Sequence, residues 1–333
     1  KMKKNIIKKI FIKIAKFLNF ELIDQNDFTS PTLGKKLNEN LSINNKKSII
    51  LPLGDVKITK KIEDILIIIR VNTNIDIWDQ NKKRIFEFSK IEYTLRSINS
   101  LIKSIIFFKN KVHNINFNIK IIDDNSKHEN LSKIKKLFDN SDINYELIAL
   151  NINGYKNIIK TQKNTETFSN LSSLLKSFEI AKNETKEIVF FIEDDYIHSV
   201  SMIEEMIFSY QRIASQLEKD IFMCPTDYPY LYMENENSNI FIGSNRHWRT
   251  INRSLCTFMT SKFLLNKYWD NFYKTCLDRN EPFEKFLNKI YQTEFCISPI
   301  KSLSLHMTNV NSSYGLSPFI DYLELWEKNK IDD

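Results

Sequence analysis

The 333-residue sequence predicts an α/β fold, a mostly parallel sheet flanked by helices and preceded by an N-terminal extension. Three observations predict it. Ile65–Ile69 and Ile188–Ile192 are unbroken apolar runs rich in β-branched residues, the pattern of strands buried on both faces. Segments of helical spacing separate such runs. The runs end in polar clusters, as strands do when their carboxyl ends border a ligand crevice.

The elements follow in order. Residues 1–20 read as a basic amphipathic helix, with Ile7, Ile10, Phe11, Ile14 and Leu18 on one face. Residues 21–60, punctuated by Pro31, Gly34, Pro52 and Gly54, read as an extended lead-in. One large domain spans 61–320, and 321–333 is a C-terminal tail. Within the domain, strands are expected at Ile65–Ile69, Asn118–Ile122, Tyr145–Leu150, Ile188–Ile192 and Cys256–Met259. Helices are expected from the spacing of Phe88, Ile91, Leu95, Ile98, Ile102 and Ile105, and from similar patterns around 131–138, 171–178, 202–213 and 261–269.

Composition narrows the function classes. Hydrophobic content of 42% and aromatic content of 12% belong to a globular chain. The wealth of Ile, Asn and Lys, with only five Gly and seven Pro, reads as a coding bias that devalues runs of Lys and Asn. The net charge of +7 resides in residues 1–16, which hold seven Lys and no acid; the remaining 41 basic residues match the 41 acidic ones. No basic stripe interleaved with aromatics remains, so nucleic acid is not an expected partner. The basic helix suits either an anionic membrane surface or docking on its own domain. Cys224, Cys256, Cys276 and Cys296 are widely spaced with no CxxC pair, which suits reduced thiols and a cytoplasmic location, peripheral to the inner face of a membrane if residues 1–20 bind it. No run reaches the roughly 18 apolar residues of a membrane span.

The chemistry is carried by the polar strand ends. Arg70-Val71-Asn72-Thr73, Asp123-Asp124-Asn125-Ser126 and Glu193-Asp194-Asp195 all follow strands expected to be parallel, so they are expected to face one crevice. No glycine-rich dinucleotide or phosphate loop is present. A bound nucleotide therefore needs another means of neutralising its phosphates, and Mn²⁺ or Mg²⁺ held by carboxylates supplies one. Alternation along a strand sets Glu193 and Asp195 on one side and Asp194 on the other. The bland reading of the triplet is that the strand has reached water.

The order IIIRVNT, helix, IIDDNS, helix, FFIEDDY resembles GT-A-fold glycosyltransferases of the family-two type, a Rossmann-like architecture. The resemblance covers about residues 62–310, with 61–197 as the nucleotide-sugar-binding half and 198–320 as the acceptor half. It implies that Asp123 or Asp124 reads the base or ribose of the donor, and that Glu193-Asp194-Asp195 stands for the family's DxD motif. Asp195 is then the metal ligand, joined by Glu193 and by His306 at the end of a late strand. Arg70 and Thr73 reach the donor nucleotide from the first strand. DRNEPFEKFLNKI, residues 278–290, falls where the family carries its catalytic base, with Glu281 the candidate and Asp278 and Glu284 its rivals. Two stretches read as substrate walls: CPTDYPYLY, with Asp227 and Tyr228, and GSNRHWRT, with Arg246, His247, Trp248 and Arg249.

The function implied is metal-dependent transfer of a sugar from a nucleotide-diphosphate sugar to a hydroxyl acceptor, glycan or lipid-linked, in surface glycan or polysaccharide synthesis. Two alternatives keep the fold: nucleotidyl transfer, and a non-catalytic carbohydrate-binding or assembly module.

Overall fold

In the computed structural model the described residues are 2–20, 56–74, 84–161, 165–308 and 312–331. The extended lead-in expected over 21–60 lies, up to residue 55, outside them. The chain divides into two units, Lys1–Lys57 and Ile58–Asp333. The first contributes helix α1 (Met2–Phe17). The larger unit holds the remaining elements.

The sheet grows from the apolar runs. β1 (Asp64–Val71) is buried from Ile65 onward, and its side chains divide between two cores. Ile65, Ile67, Ile69 and Val71 face one core, and Leu66 and Ile68 face the other. Period-two alternation with apolar residues at every position leaves no face for water, so helices must cover both sides. α2 (Lys90–Lys109) covers the first core, ahead of β2 (Asn116–Asp123), α3 (His128–Asp139) and β3 (Tyr145–Ala149). α4 (Thr165–Glu184) covers the second core. β4 (Ile188–Glu193) then divides in the same manner, with Ile188, Phe190 and Ile192 to the first core and Val189 and Phe191 to the second.

A turn at Asp194-Asp195 leads into β5 (Tyr196–His198) and α5 (Met202–Leu217). The remaining elements are β6 (Phe222–Met223), β7 (Ile240–Ile242), β8 (His247–Thr250), β9 (Phe258–Ser261), α6 (Lys262–Lys267), α7 (Trp269–Leu277), α8 (Lys285–Ile290), β10 (Cys296–Ile300), β11 (Ser304–His306) and α9 (Tyr322–Lys328). Among the described residues the main sheet has nine strands in the order β3-β2-β1-β4-β9-β6-β10-β8-β7. β9 and β8 run against the others, and β1, β2, β3 and β4 are mutually parallel. The sheet is therefore mixed but mostly parallel, as the sequence predicts. The strand expected at Cys256–Met259 lies two residues further on.

Two features position the site. β1 pairs with β4 so that Arg70 stands opposite Glu193, and with β2 so that Val71 stands opposite Asp123. The carboxyl ends of these strands thus lie side by side. A second, two-stranded sheet pairs β11 antiparallel with β5, setting His306 opposite Tyr196, and the Met307 N–H donates to the Asp195 carbonyl at 2.9 Å. This small sheet returns the chain to the acidic turn from more than a hundred residues away.

The described C-terminal residues pack on the domain. Trp326 of α9 is buried against Tyr93 and stacks on Phe86 at 4.4 Å between centroids, with the Arg96 guanidinium 4.1 Å from its ring centre. Arg96 also donates to the Trp326 carbonyl at 2.6 Å and to Glu92 at 2.6 Å. An aromatic of this size removed from water is a large hydrophobic contribution, and it ties α9 to α2. All four cysteines are buried free thiols.

Candidate active site

The three polar strand ends meet at one cavity of about 510 Å³. Its walls include Arg70, Asn72, Asp124 and the triplet Glu193–Asp195, with Glu281, Glu284 and His306 opposite in sequence but adjacent in space. Each acid of the triplet has its own partner. Glu193 ends β4 on the α4 side and takes the Arg70 guanidinium at 2.6 Å, while Arg70 also donates to Asn170 Oδ1 at 2.8 Å and Ser173 Oγ at 3.2 Å on α4. Asp194 lies on the opposite side, where it accepts from Lys90 Nζ at 2.6 Å, Thr94 Oγ1 at 2.8 Å and the Asn72 N–H at 3.3 Å. It is a clamp between the end of β1 and the start of α2, with its acceptor capacity used by the protein.

Asp195 is different. It lies in the turn after the strand, and its Oδ2 accepts from Thr308 Oγ1 at 2.7 Å and faces His306 Nε2 at 3.2 Å. Burial alone would raise the Asp195 carboxyl, yet the charge and hydrogen bond of His306, with Lys90 and Thr308, hold it well below the usual carboxylate range. Burial likewise works against a charged His306, and Asp195 overrides it and raises the imidazole. The His306 ring stacks on Tyr196 at 4.8 Å, and its Nδ1 faces the Tyr314 carbonyl at 3.2 Å. A carbonyl can only accept, so Nδ1 carries a hydrogen. Nε2 faces the Asp195 carboxylate, which also can only accept, so the charged ring that Asp195 favours donates there too.

This arrangement bears on the expected cation. Imidazole fixed at one nitrogen by a carbonyl is the usual preparation of a histidine ligand, and a cation would take the place of the proton that Nε2 shares with Asp195. A carboxylate and an imidazole facing each other form a two-donor set that fits Mn²⁺ or Mg²⁺, whose remaining positions are commonly filled by substrate phosphates and water. Glu193, expected as a third ligand, is instead committed to Arg70. Among the described residues, no three His, Cys, Asp or Glu side chains group closely enough to hold a metal by themselves.

The other expected residues sort by position. Of Asp123 and Asp124, only Asp124 lines the cavity, accepting from Asn72 Nδ2 at 2.9 Å and from Ser169 Oγ. Asp123 turns back to accept the Ser126 N–H at 3.2 Å, and burial raises its carboxyl. Thr73 binds α3 through Asn130 at 2.9 Å and does not line the cavity. Glu281 and Glu284 line the cavity, and the Glu281 side chain is 83% exposed with Arg279 Nε at 3.7 Å. Asp278 is drawn off to Thr161 Oγ1 and the Arg279 N–H.

The two stretches expected as substrate walls do not line this cavity. Asp227 and Arg249 pair with each other in the interior, with Tyr232 donating to Asp227. Trp248 is fully buried, donating from Nε1 to Ser209 Oγ at 3.0 Å and Glu205 at 3.2 Å. Arg246 and His247 line a separate cavity of about 460 Å³. The cause is sheet order: β8 lies beyond β10, far along the sheet from β4. Tyr228 acts at one remove, since its hydroxyl meets that of Tyr196, the ring beneath His306, at 2.8 Å.

Sequence reasoning missed Lys90, Asn170, Ser173, Thr308 and Tyr314. Thr308 sits two residues past His306, and that proximity was the available signal; Asn170 and Ser173 lie in a helix already rich in Ser, Thr and Asn, where nothing sets them apart. Nothing local marks Lys90.

No protein-family model and no curated protein matches the chain. Solved structures do. Staphylococcus aureus TarS (residues 1–349) is 11% identical, with 71% of this chain and 57% of that one covered at a TM-score of 0.40. The chain thus spans little more than half of TarS 1–349. The galactosyltransferase LgtC, solved with donor and acceptor sugar analogues, is 9% identical over 68% of this chain and 70% of that one, at 0.35. UDP-glucose pyrophosphorylase with UDP-glucose is 8% identical over 80% of this chain and 97% of that one, at 0.36. Likeness at this level assigns no activity and no residue roles.

Proposed function

We propose that the cavity binds a nucleotide-diphosphate sugar and that the protein transfers the sugar to a hydroxyl acceptor, glycan or lipid-linked, in surface glycan or polysaccharide synthesis. The observation that carries this reading is the Asp195–His306 pair at the carboxyl ends of three parallel strands, on the wall of a cavity of about 510 Å³. Asp195 and His306 would hold Mn²⁺ or Mg²⁺. When bound, the ion supplies positive charge to the departing diphosphate as a Lewis acid.

The chain's own groups account for the rest. Tyr314 keeps a hydrogen on His306 Nδ1, and Thr308 fixes one Asp195 oxygen. Asp124, whose Oδ2 accepts from Asn72 and Ser169 while its side chain lines the cavity, is the acceptor for a donor ribose hydroxyl or base N–H. In an inverting transfer Glu281, exposed on the cavity wall, takes the acceptor's hydroxyl proton as the new bond forms. Glu284 is the second carboxylate within the cavity for that role.

The test is incubation with a panel of nucleotide sugars in Mn²⁺, Mg²⁺ or chelator, with nucleoside diphosphate release measured. Release that needs the metal is expected. Sugar binding indifferent to metal, with no release, would assign a non-catalytic module. Pyrophosphate release from a nucleoside triphosphate and a sugar phosphate would assign nucleotidyl transfer.

A further inference from the structure

We propose that α1 is a membrane-surface anchor, a helix that lies in the headgroup layer of an anionic bilayer. The inference rests on α1 alone and is independent of the reaction proposed above. Ile7, Ile10, Phe11, Ile14 and Phe17 of α1 recur at three- and four-residue spacing, which on an α-helix sets them within an arc of about 120°, and Leu18 follows in the turn just past its end. All six are more than half exposed, Phe17 at 87% and Phe11 at 62%. A stripe of this length and size left bare to water is the mark of a surface that has a partner.

Charge selects that partner. Residues 1–16 hold seven Lys and no acid, whereas the rest of the chain is balanced at 41 basic and 41 acidic residues. Exposed Lys16 falls across the helix from the apolar arc, and exposed Lys13 flanks its edge. A protein groove would satisfy the arc but leave the charge excess idle. Anionic lipid uses both: acyl chains take the apolar arc, and headgroups attract the lysines. At 16 residues the helix is about 24 Å long, short of the roughly 30 Å hydrocarbon core. Among the described residues no helix is long and apolar enough to cross a membrane. The helix therefore lies along the surface.

The experiment is sedimentation of the full chain with vesicles of phosphatidylcholine alone or with one third phosphatidylglycerol. The chain is expected to pellet with the anionic vesicles, and high salt is expected to lower that binding about tenfold. Phe11→Glu with Ile14→Glu should remain in the supernatant with unchanged melting temperature and mass, since both side chains face water. Lys13→Glu with Lys16→Glu should weaken anionic binding about tenfold or more. Equal recovery with both vesicle types overturns the proposal. So does a lowered melting temperature in the Phe11/Ile14 variant, which would mean that the arc packs on protein. A wild-type dimer that this variant dissociates overturns it as well, in favour of self-association.

Discussion

Asp195→Asn is expected to reduce metal-dependent nucleotide release on the order of 10²–10³-fold, while Glu193→Gln stays within about tenfold of the wild type. The two acids are two residues apart on one motif, and the geometry separates them. Asp195 faces Nε2 of His306 at 3.2 Å, and its charge is what His306 uses and what a bound cation would use. Asparagine keeps the size and still accepts from Thr308, so the loss reports charge rather than unfolding. Glu193 spends its charge on Arg70 at 2.6 Å, and glutamine can still accept from that guanidinium. Equal losses in the two variants, both folded, would return Glu193 to the metal shell.

Arg70→Met is expected to lower the free energy of unfolding by about 3 kcal/mol, read by urea titration. The guanidinium is 9% exposed, and its removal leaves Glu193 repelled by Asp195 and Asp194 with only His306 as an opposing charge. Breaking a buried pair from one side costs about 3–5 kcal/mol, and the lower end applies because Glu193 keeps 28% exposure and some water. Adding Glu193→Gln to Arg70→Met should recover at least about 1 kcal/mol, because the repelling charge is gone. No recovery would mean that Arg70 acts through its bonds to Asn170 and Ser173 instead.

Much of the fold was legible because its strands are buried on both faces, and the shortness and β-branched content of a run such as Ile65–Ile69 favour a buried strand over a buried helix. The convergence of strand ends followed from parallel pairing alone. The division of Glu193 from Asp194 was legible too, since it depends only on alternation. Asp195 was not, because the strand stops at Glu193 and a turn re-aims the next side chain. His306 was legible beside Asp195 through the family resemblance, but Lys90 and Thr308 were invisible for a different reason: they reach the triplet through long-range packing of α2 and of the chain after β11 that no local pattern encodes. HWRT misled because Arg and Trp suit a ligand wall and a buried strand equally, and only sheet order sends β8 to the far side. The basic helix was legible as a helix; its exposed apolar arc required coordinates.

The most direct test of the central claim is the affinity for nucleoside diphosphates, measured by calorimetry with Mn²⁺ and with chelator. If Asp195 and His306 hold a cation that receives the diphosphate, Mn²⁺ should tighten binding at least about tenfold in the wild type and leave Asp195→Asn unchanged. Binding that is equally tight with chelator, or a Mn²⁺ effect that survives Asp195→Asn, would contradict it.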